Sequence, residues 1–234
     1  MTIASNLFAI HERIALAAQR AGRDASDIAL MAVSKTVSPD RIVEAYAAGQ
    51  RLFGENRVQE FADKFGGLVG LRDAEFHMIG HLQSNKAAKA AEIFHAIESL
   101  DSVKLVQRLD AAAEKLGETL DVLIEINVGG EEAKSGIGPD SSELDQILTG
   151  APEWYHLRIC GLMTVPPFTE DPEGARPYFR QLRELRDRIE AHHPPGVSLR
   201  TLSMGMSHDF EVAIEEGSTC VRIGTAIFGE RPQP

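Results

Sequence analysis

The run Val122-Leu123-Ile124-Glu125-Ile126-Asn127-Val128 is apolar at most positions and shows no sustained alternation. A strand with one wet face alternates, whereas a parallel strand covered by helices has no need to. Working outward from it, short runs of the same kind recur along the chain. The candidate strands are Ile28–Ser34, Arg51–Gly54, Phe76–Gly80, His95–Ser99, Asp121–Val128, Leu157–Val165, Ser198–Met204 and Cys220–Gly224. Helical patterns lie between them. Ser38-Pro39 opens one as N-cap and first-turn proline, and Gly49 closes it. Leu105, Leu109, Ala112 and Leu116 form a stripe ending at Gly117, and Phe179, Leu182, Leu185 and Ile189 form another. Phe210, Ala213 and Ile214 mark a short last helix ending at Gly217.

Eight strand–helix units in about 200 residues match the lower size limit of a (β/α)8 barrel. The expected fold is therefore α/β: one TIM-barrel domain over residues 1–234, with the barrel itself at 28–230. An additional amino-terminal helix over 1–22 carries Ile3, Leu7, Ile10, Ile14, Ala17 and Ala21 on one face and stops at Gly22. It caps the barrel's underside or packs beside it. The rival architecture, an open doubly wound sheet, lacks its G-x-G-x-x-G fingerprint after the first strand.

The 234 residues are 43% hydrophobic and 25% charged, an ordinary globular composition. Asp and Glu number 35 against 24 Lys and Arg, a net charge of -11 that argues against nucleic-acid and membrane partners. The start, MTIASNLFAIHERI, lacks the pattern of a signal peptide, and the longest apolar run, IALMAV, is too short to span a bilayer. Cys160 and Cys220 sit in strand-like runs without C-x-x-C spacing, which suggests core thiols in a reducing, cytoplasmic compartment. His77 and His81 straddle a strand end without a nearby third ligand in sequence, so no metal site is expected. His192-His193 before Pro194-Pro195 reads as a solvated turn.

Function in such a barrel collects at the carboxyl ends of the strands. Lys35 is the first polar side chain after IALMAVS. Apolar walls below it would disfavour its ammonium form, as a Schiff-base-forming amine requires. Position alone does not separate that reading from a solvated lysine in a βα loop. Gly224-Thr225 follows the eighth strand, and Gly205 and Ser207 open the helix after the seventh. Backbone N–H groups and hydroxyls on these adjacent strands suit a phosphate. Arg222, inside an otherwise apolar strand, must find an acceptor, either a carboxylate within the barrel or a ligand. Asn56 in FGEN and Met163 in GLMTV also end strands.

AVSKT, GQRLFGENRVQE, FHMIGHLQSNK, KSGI, GLMTVPP, LSMGMSHDFEVAI and GSTCVRIGTAIFGER occur in order from Leu30 to Arg231. Together they closely resemble the YggS/PROSC family, the pyridoxal phosphate homeostasis proteins. The resemblance implies a barrel similar to the amino-terminal half of bacterial alanine racemases. It also implies that Lys35 holds pyridoxal 5'-phosphate (PLP) as a Schiff base. Ser207, Gly224 and Thr225 would grip the phosphate, Arg222 would face the pyridine nitrogen, and Asn56, Met163 and Ser203 complete the implied set.

An arginine opposite that nitrogen leaves it largely unprotonated and weakens the electron sink. The second domain from which racemases draw a catalytic tyrosine has no counterpart before Pro234, and Tyr46, Tyr155 and Tyr178 read as packing residues. The expected function is PLP binding, homeostasis and delivery to apo PLP-dependent enzymes, by a cytoplasmic monomer without efficient turnover. A PLP-dependent amino-acid racemase and a Schiff-base aldolase are the alternatives.

Overall fold

A computed structural model describes residues 2–131, 135–192 and 194–229. Lys134 of KSGI, His193, and Glu230 and Arg231 of FGER lie outside the described residues. In chain order the elements are α1 (Ile3–Arg20), β1 (Ala29–Val33), α2 (Pro39–Ala47), β2 (Leu52–Glu55), α3 (Val58–Phe65), β3 (Glu75–Met78), α4 (Ala87–Ile93) and β4 (Ala96–Leu100). They continue with α5 (Val103–Leu116), β5 (Leu120–Glu125), α6 (Ser142–Gly150), β6 (Leu157–Met163), α7 (Arg176–Ala191), β7 (Val197–Met206), α8 (Phe210–Glu215), β8 (Cys220–Ile223) and α9 (Thr225–Phe228).

The eight strands pair in sequence order, all parallel, and β8 closes on β1 through Ala29↔Cys220, Leu30↔Val221, Met31↔Arg222 and Ala32↔Ile223. The barrel expected from the apolar runs is the fold. Strand boundaries differ by at most three residues from those read in the sequence, and the starts of β6 and β8 coincide. The largest difference falls on VLIEINV, where β5 stops at Glu125 rather than Val128. There the Ile137 N–H donates to the Glu125 carbonyl at 2.8 Å, and Asn127 donates back to Ile137 at 2.9 Å. This returning segment takes over the ladder. It passes so close that a Cβ at Gly136, whose φ is +102°, would stand 2.9 Å from the Asn127 nitrogen.

Helix α1 packs beside the barrel, on α8 and α9. Its stripe Ile3, Leu7, Ile10, Ile14 and Ala17 is buried, Arg13 pairs with Glu211 at 2.9 Å, and the Asn6 amide donates to the Ile227 carbonyl at 2.8 Å. Stripes on α5 and α7 face the core as their spacing requires, except that Leu116 is exposed at the end of α5. Phe53, Phe61, Phe76 and Phe94 form one aromatic cluster, with Phe61 lying 4.8 Å from Phe76 and 4.7 Å from Phe94 between centroids. It seats α3 on β2 and β3, which positions the turn after β1. Among the described residues no helix is long and apolar enough to cross a membrane.

Candidate functional site

At the carboxyl ends of the strands a cavity of about 530 Å³ opens above β1, β2, β7 and β8. Lys35, Asn56, Ser207, Arg222, Gly224 and Thr225 all line it, brought together from four parts of the chain. Val33, Ile79 and Val165 supply apolar wall. The cations Lys35, Arg41 and Arg222 line it, and none of its described lining residues is Asp or Glu. In a chain of net charge -11 that segregation marks the cavity as a place for an anion.

Each strand end delivers its residue for a local reason. Lys35 and Thr36 form the corner of a turn closed by the Val37 N–H donating to the Ser34 carbonyl at 3.0 Å. Asn56 follows β2 directly, and its Oδ1 is buried without a hydrogen-bond partner among the described residues. Gly224 leads into α9, whose first residue is Thr225, so the N–H groups that open a helix and a hydroxyl meet there. At Gly224 neither φ (-114°) nor space (an added Cβ would be 3.4 Å from Val33) demands glycine.

The seventh strand corrects one expectation. Gly205 and Ser207 do not open the helix: β7 runs through Gly205 to Met206, and α8 starts at Phe210 behind the N-cap Asp209. The Asp209 Oδ1 accepts from the Met206 N–H at 2.6 Å, closing a turn that holds Ser207 at the cavity wall.

Arg222 is 4% exposed, and its acceptors within the chain are carbonyls and a hydroxyl rather than the carboxylate the sequence allowed for. Nη1 donates to the Ser203 carbonyl at 2.6 Å and to Ser203 Oγ at 2.7 Å, and Nη2 donates to the Thr164 carbonyl at 2.6 Å. The register shift between β7 and β8 around Ser203 and Met206 places these groups side by side. A carboxylate stands one bond further on. Ser203 Oγ donates to Glu98 Oε2 at 2.5 Å, and Glu98 Oε1 is 2.8 Å from His77 Nδ1. Burial alone would raise the Glu98 carboxyl, yet the hydrogen bond and charge of His77, the nearby charge of Arg222 and the hydrogen bond from Ser203 hold it below the usual carboxylate range.

Ser203 and Met163 thus lie fully buried below the cavity, Ser203 behind Arg222, rather than on its lining. His77 and His81 part company: His77 turns toward Glu98, and His81 pairs with Asp101 at 3.0 Å. Burial pushes the Cys160 thiol up to about 12 and raises Cys220 as well, which keeps both protonated. The tyrosines stand outside the cavity: the Tyr46 hydroxyl bonds Asp73, Tyr178 is half-buried, and Tyr155, at 79% exposure, is not a packing residue. Arg41 and His208 line the cavity without having been singled out in the sequence, because Arg41 lies in the first turn of α2 and His208 in the turn between β7 and α8 rather than at a strand end.

The alanine racemase N-terminal domain model matches residues 5–232. A pyridoxal phosphate homeostasis protein of Aquifex aeolicus is 48% identical over 231 residues, covering 99% of both chains. PipY of Synechococcus elongatus, solved with PLP bound, superposes with a TM-score of 0.84 at 36% identity, over 97% of this chain and all of that one. An alanine racemase of Clostridium difficile shares the fold at 14% identity and a TM-score of 0.73, with 57% of its own length covered. On these matches and this barrel, the chain belongs to the alanine racemase N-terminal domain family and, within it, to the pyridoxal phosphate homeostasis proteins.

Proposed function

We propose that this chain is a PLP carrier: a monomeric cytoplasmic barrel domain that binds the cofactor as a Schiff base on Lys35 and passes it to apo PLP-dependent enzymes. The observation that carries this reading is the cavity itself, where a strand-end lysine, two hydroxyl-bearing phosphate-type turns and a buried arginine converge. The donor set suits the group. A dianionic phosphate calls for N–H, O–H and cationic donors, which Gly224, Thr225, Ser207 and the cavity cations provide. The unpartnered Asn56 Oδ1 is an acceptor for a ring hydroxyl or a protonated nitrogen.

When bound, PLP supplies an aldehyde that condenses with an amine, releasing water. The remaining work falls to the chain. Thr225 and Ser207 donate to phosphate, and Val33, Ile79 and Val165 shed water from the ring's surroundings. Arg222 has only donors to offer, so a ring nitrogen facing it must accept and cannot carry a proton. That supports storage over carbanion chemistry.

The test is an absorption spectrum of purified protein loaded with PLP, followed by borohydride reduction and peptide mapping. A visible band fixed to Lys35, and lost in Lys35→Ala with the fold intact, is expected. A band unchanged in that variant, or fixed elsewhere, overturns the assignment. Delivery is tested by reactivating an apo-enzyme with the loaded protein in the presence of a scavenger of free aldehyde. Reactivation no faster than by PLP alone refutes it.

A further inference from the structure

Lys35 sits between two clamped neighbours. Thr36 has φ of +60°, the one non-glycine residue with positive φ among those described. A β-branched residue pays a steric cost there and holds the conformation only when its surroundings impose it. Those surroundings are a cluster from β2 and α3. The Thr36 N–H donates to Glu60 Oε1 at 2.5 Å, and Ser34 Oγ donates to Glu55 Oε1 at 2.7 Å. Lys64 ties the cluster together. Its Nζ lies 3.1 Å from the Ser34 carbonyl, 2.9 and 3.1 Å from the Glu55 oxygens, and 3.1 Å from Glu60 Oε1. The Lys64 side chain is 10% exposed and that of Glu55 is fully buried. Helix α3, which carries Glu60 and Lys64 one turn apart, is itself anchored by Phe61 in the aromatic cluster.

We propose that Glu60 is a positioning residue which, with Lys64 and Glu55, locks the Ser34–Val37 turn in its left-handed form and thereby sets the direction in which Lys35 enters the cavity. Glu55, Glu60 and Lys64 are not among the residues lining the cavity; they act through two backbone positions flanking the reacting amine. This inference rests on the reading of Lys35 as the anchoring amine. Anchoring forms a C=N bond from Nζ to the aldehyde carbon while the aldehyde oxygen leaves as water with the two protons of the neutral amine, so its rate depends on where Nζ is held.

Apo-protein is mixed with PLP and the rise of the visible band is followed in wild type, Glu60→Gln and Glu60→Ala. The expected order is wild type fastest, Gln intermediate and Ala slowest, with Ala slowed on the order of ten- to a hundredfold. Two further measurements separate positioning from general loosening. Non-covalent PLP retention, measured in Lys35→Ala, should be unchanged when Glu60→Ala is added. Adding Thr36→Gly to Glu60→Ala should restore most of the rate, because glycine adopts φ of +60° without a clamp. Wild-type rates in Glu60→Ala, equal losses in the Lys35→Ala background, or no rescue by Thr36→Gly each overturn the proposal. A wild type without a band, or with borohydride marking another lysine, overturns the Schiff-base reading and the positioning role with it. If Glu60→Ala does not fold, the proposal rests on Glu60→Gln alone, and a wild-type rate there refutes it.

Discussion

Replacing His77 by Gln tests whether the charged line beneath the cavity is real. Burial pulls the His77 pKa down, and the carboxylates of Glu75, 3.7 Å from Nε2, and Glu98, hydrogen-bonded to Nδ1, more than reverse it, raising it from 6.5 to about 9. The side chain is 16% exposed and Nδ1 stands 2.8 Å from Glu98, so solvent screens the pair little. The unfolded chain releases this proton near pH 6.5 while the folded one keeps it to about 9. The stabilisation is therefore complete below about pH 6.5 and is lost as pH rises to 9. At about 1.4 kcal/mol per pH unit the loss comes to about 3 kcal/mol. For a chain of this size that corresponds to about 6–12 °C in melting temperature.

The assay is urea unfolding of wild type and His77→Gln at pH 6 and pH 9. The variant is weaker throughout, because Glu98 loses its charged partner, but the decisive quantity is the change between the two pH values. Contributions from groups common to both proteins cancel. So do the thiols: Cys160 and Cys220 are raised by burial, and they reduce stability in both proteins once their unfolded counterparts ionise near pH 9. Wild type should lose about 3 kcal/mol more than the variant over this range. Parallel pH profiles would refute the reasoning, as would an imidazole resonance of folded His77 titrating near 6.5.

Three further outcomes are expected. Thr225→Val and Ser207→Ala should each weaken PLP binding by roughly 1.5–3 kcal/mol, one to two decades in Kd by titration, with inorganic phosphate competing. Unchanged affinity in both and in the double variant removes the phosphate assignment. Gly80→Ala places a Cβ 2.3 Å from the Asn56 carbonyl oxygen, which cannot yield without moving that backbone. It should cost about 1–3 kcal/mol in urea unfolding and lower PLP affinity, and wild-type stability would refute the close approach of the two backbones. Loaded protein incubated with L- and D-amino acids in deuterium oxide should exchange α-protons far more slowly than about 1 per second, and faster exchange that disappears in Lys35→Ala favours the racemase.

The barrel was legible because periodicity reports burial one residue at a time. Runs such as IALMAV and VLIEINV needed no partner to be read as covered strands. Helices α3, α4 and α6 were not read, since at seven to nine residues each spans about two turns, and apolar positions such as Val58 and Phe61 in α3 or Leu144 and Ile147 in α6 repeat too few times to stand out. The cavity residues were legible for a second reason: Lys35, Asn56, Gly224 and Thr225 all follow a strand, and the architecture converts that position into a shared mouth. What supports them was not. Glu98 and Ser203 are 105 residues apart, and only the closed register sets them 2.5 Å from each other. A residue-by-residue reading of Arg222 could state that an acceptor was required but could not choose among acceptors on β4, β6 and β7.

That choice bears on the chemistry at the cavity. A carboxylate directly on Arg222 would have occupied its donors in a salt bridge. Here the guanidinium spends them on two strand carbonyls and a hydroxyl, and Glu98 reaches it only through Ser203. The carbonyls fix the plane of the guanidinium without neutralising it, while the hydroxyl passes a fraction of the carboxylate's charge. On the proposed reading, Arg222 then presents a positive, donor-only surface to the ring nitrogen, which favours the unprotonated pyridine and a poor electron sink. Ser203→Ala isolates this effect. It removes the hydroxyl relay but keeps the carbonyl, so Arg222 should stay in place while Glu98 loses one bond. A change in the wavelength or pH dependence of the visible band, with phosphate competition unaltered, would place the relay in the cofactor's electronic surroundings. An unaltered band would confine Glu98 and His77 to stability alone.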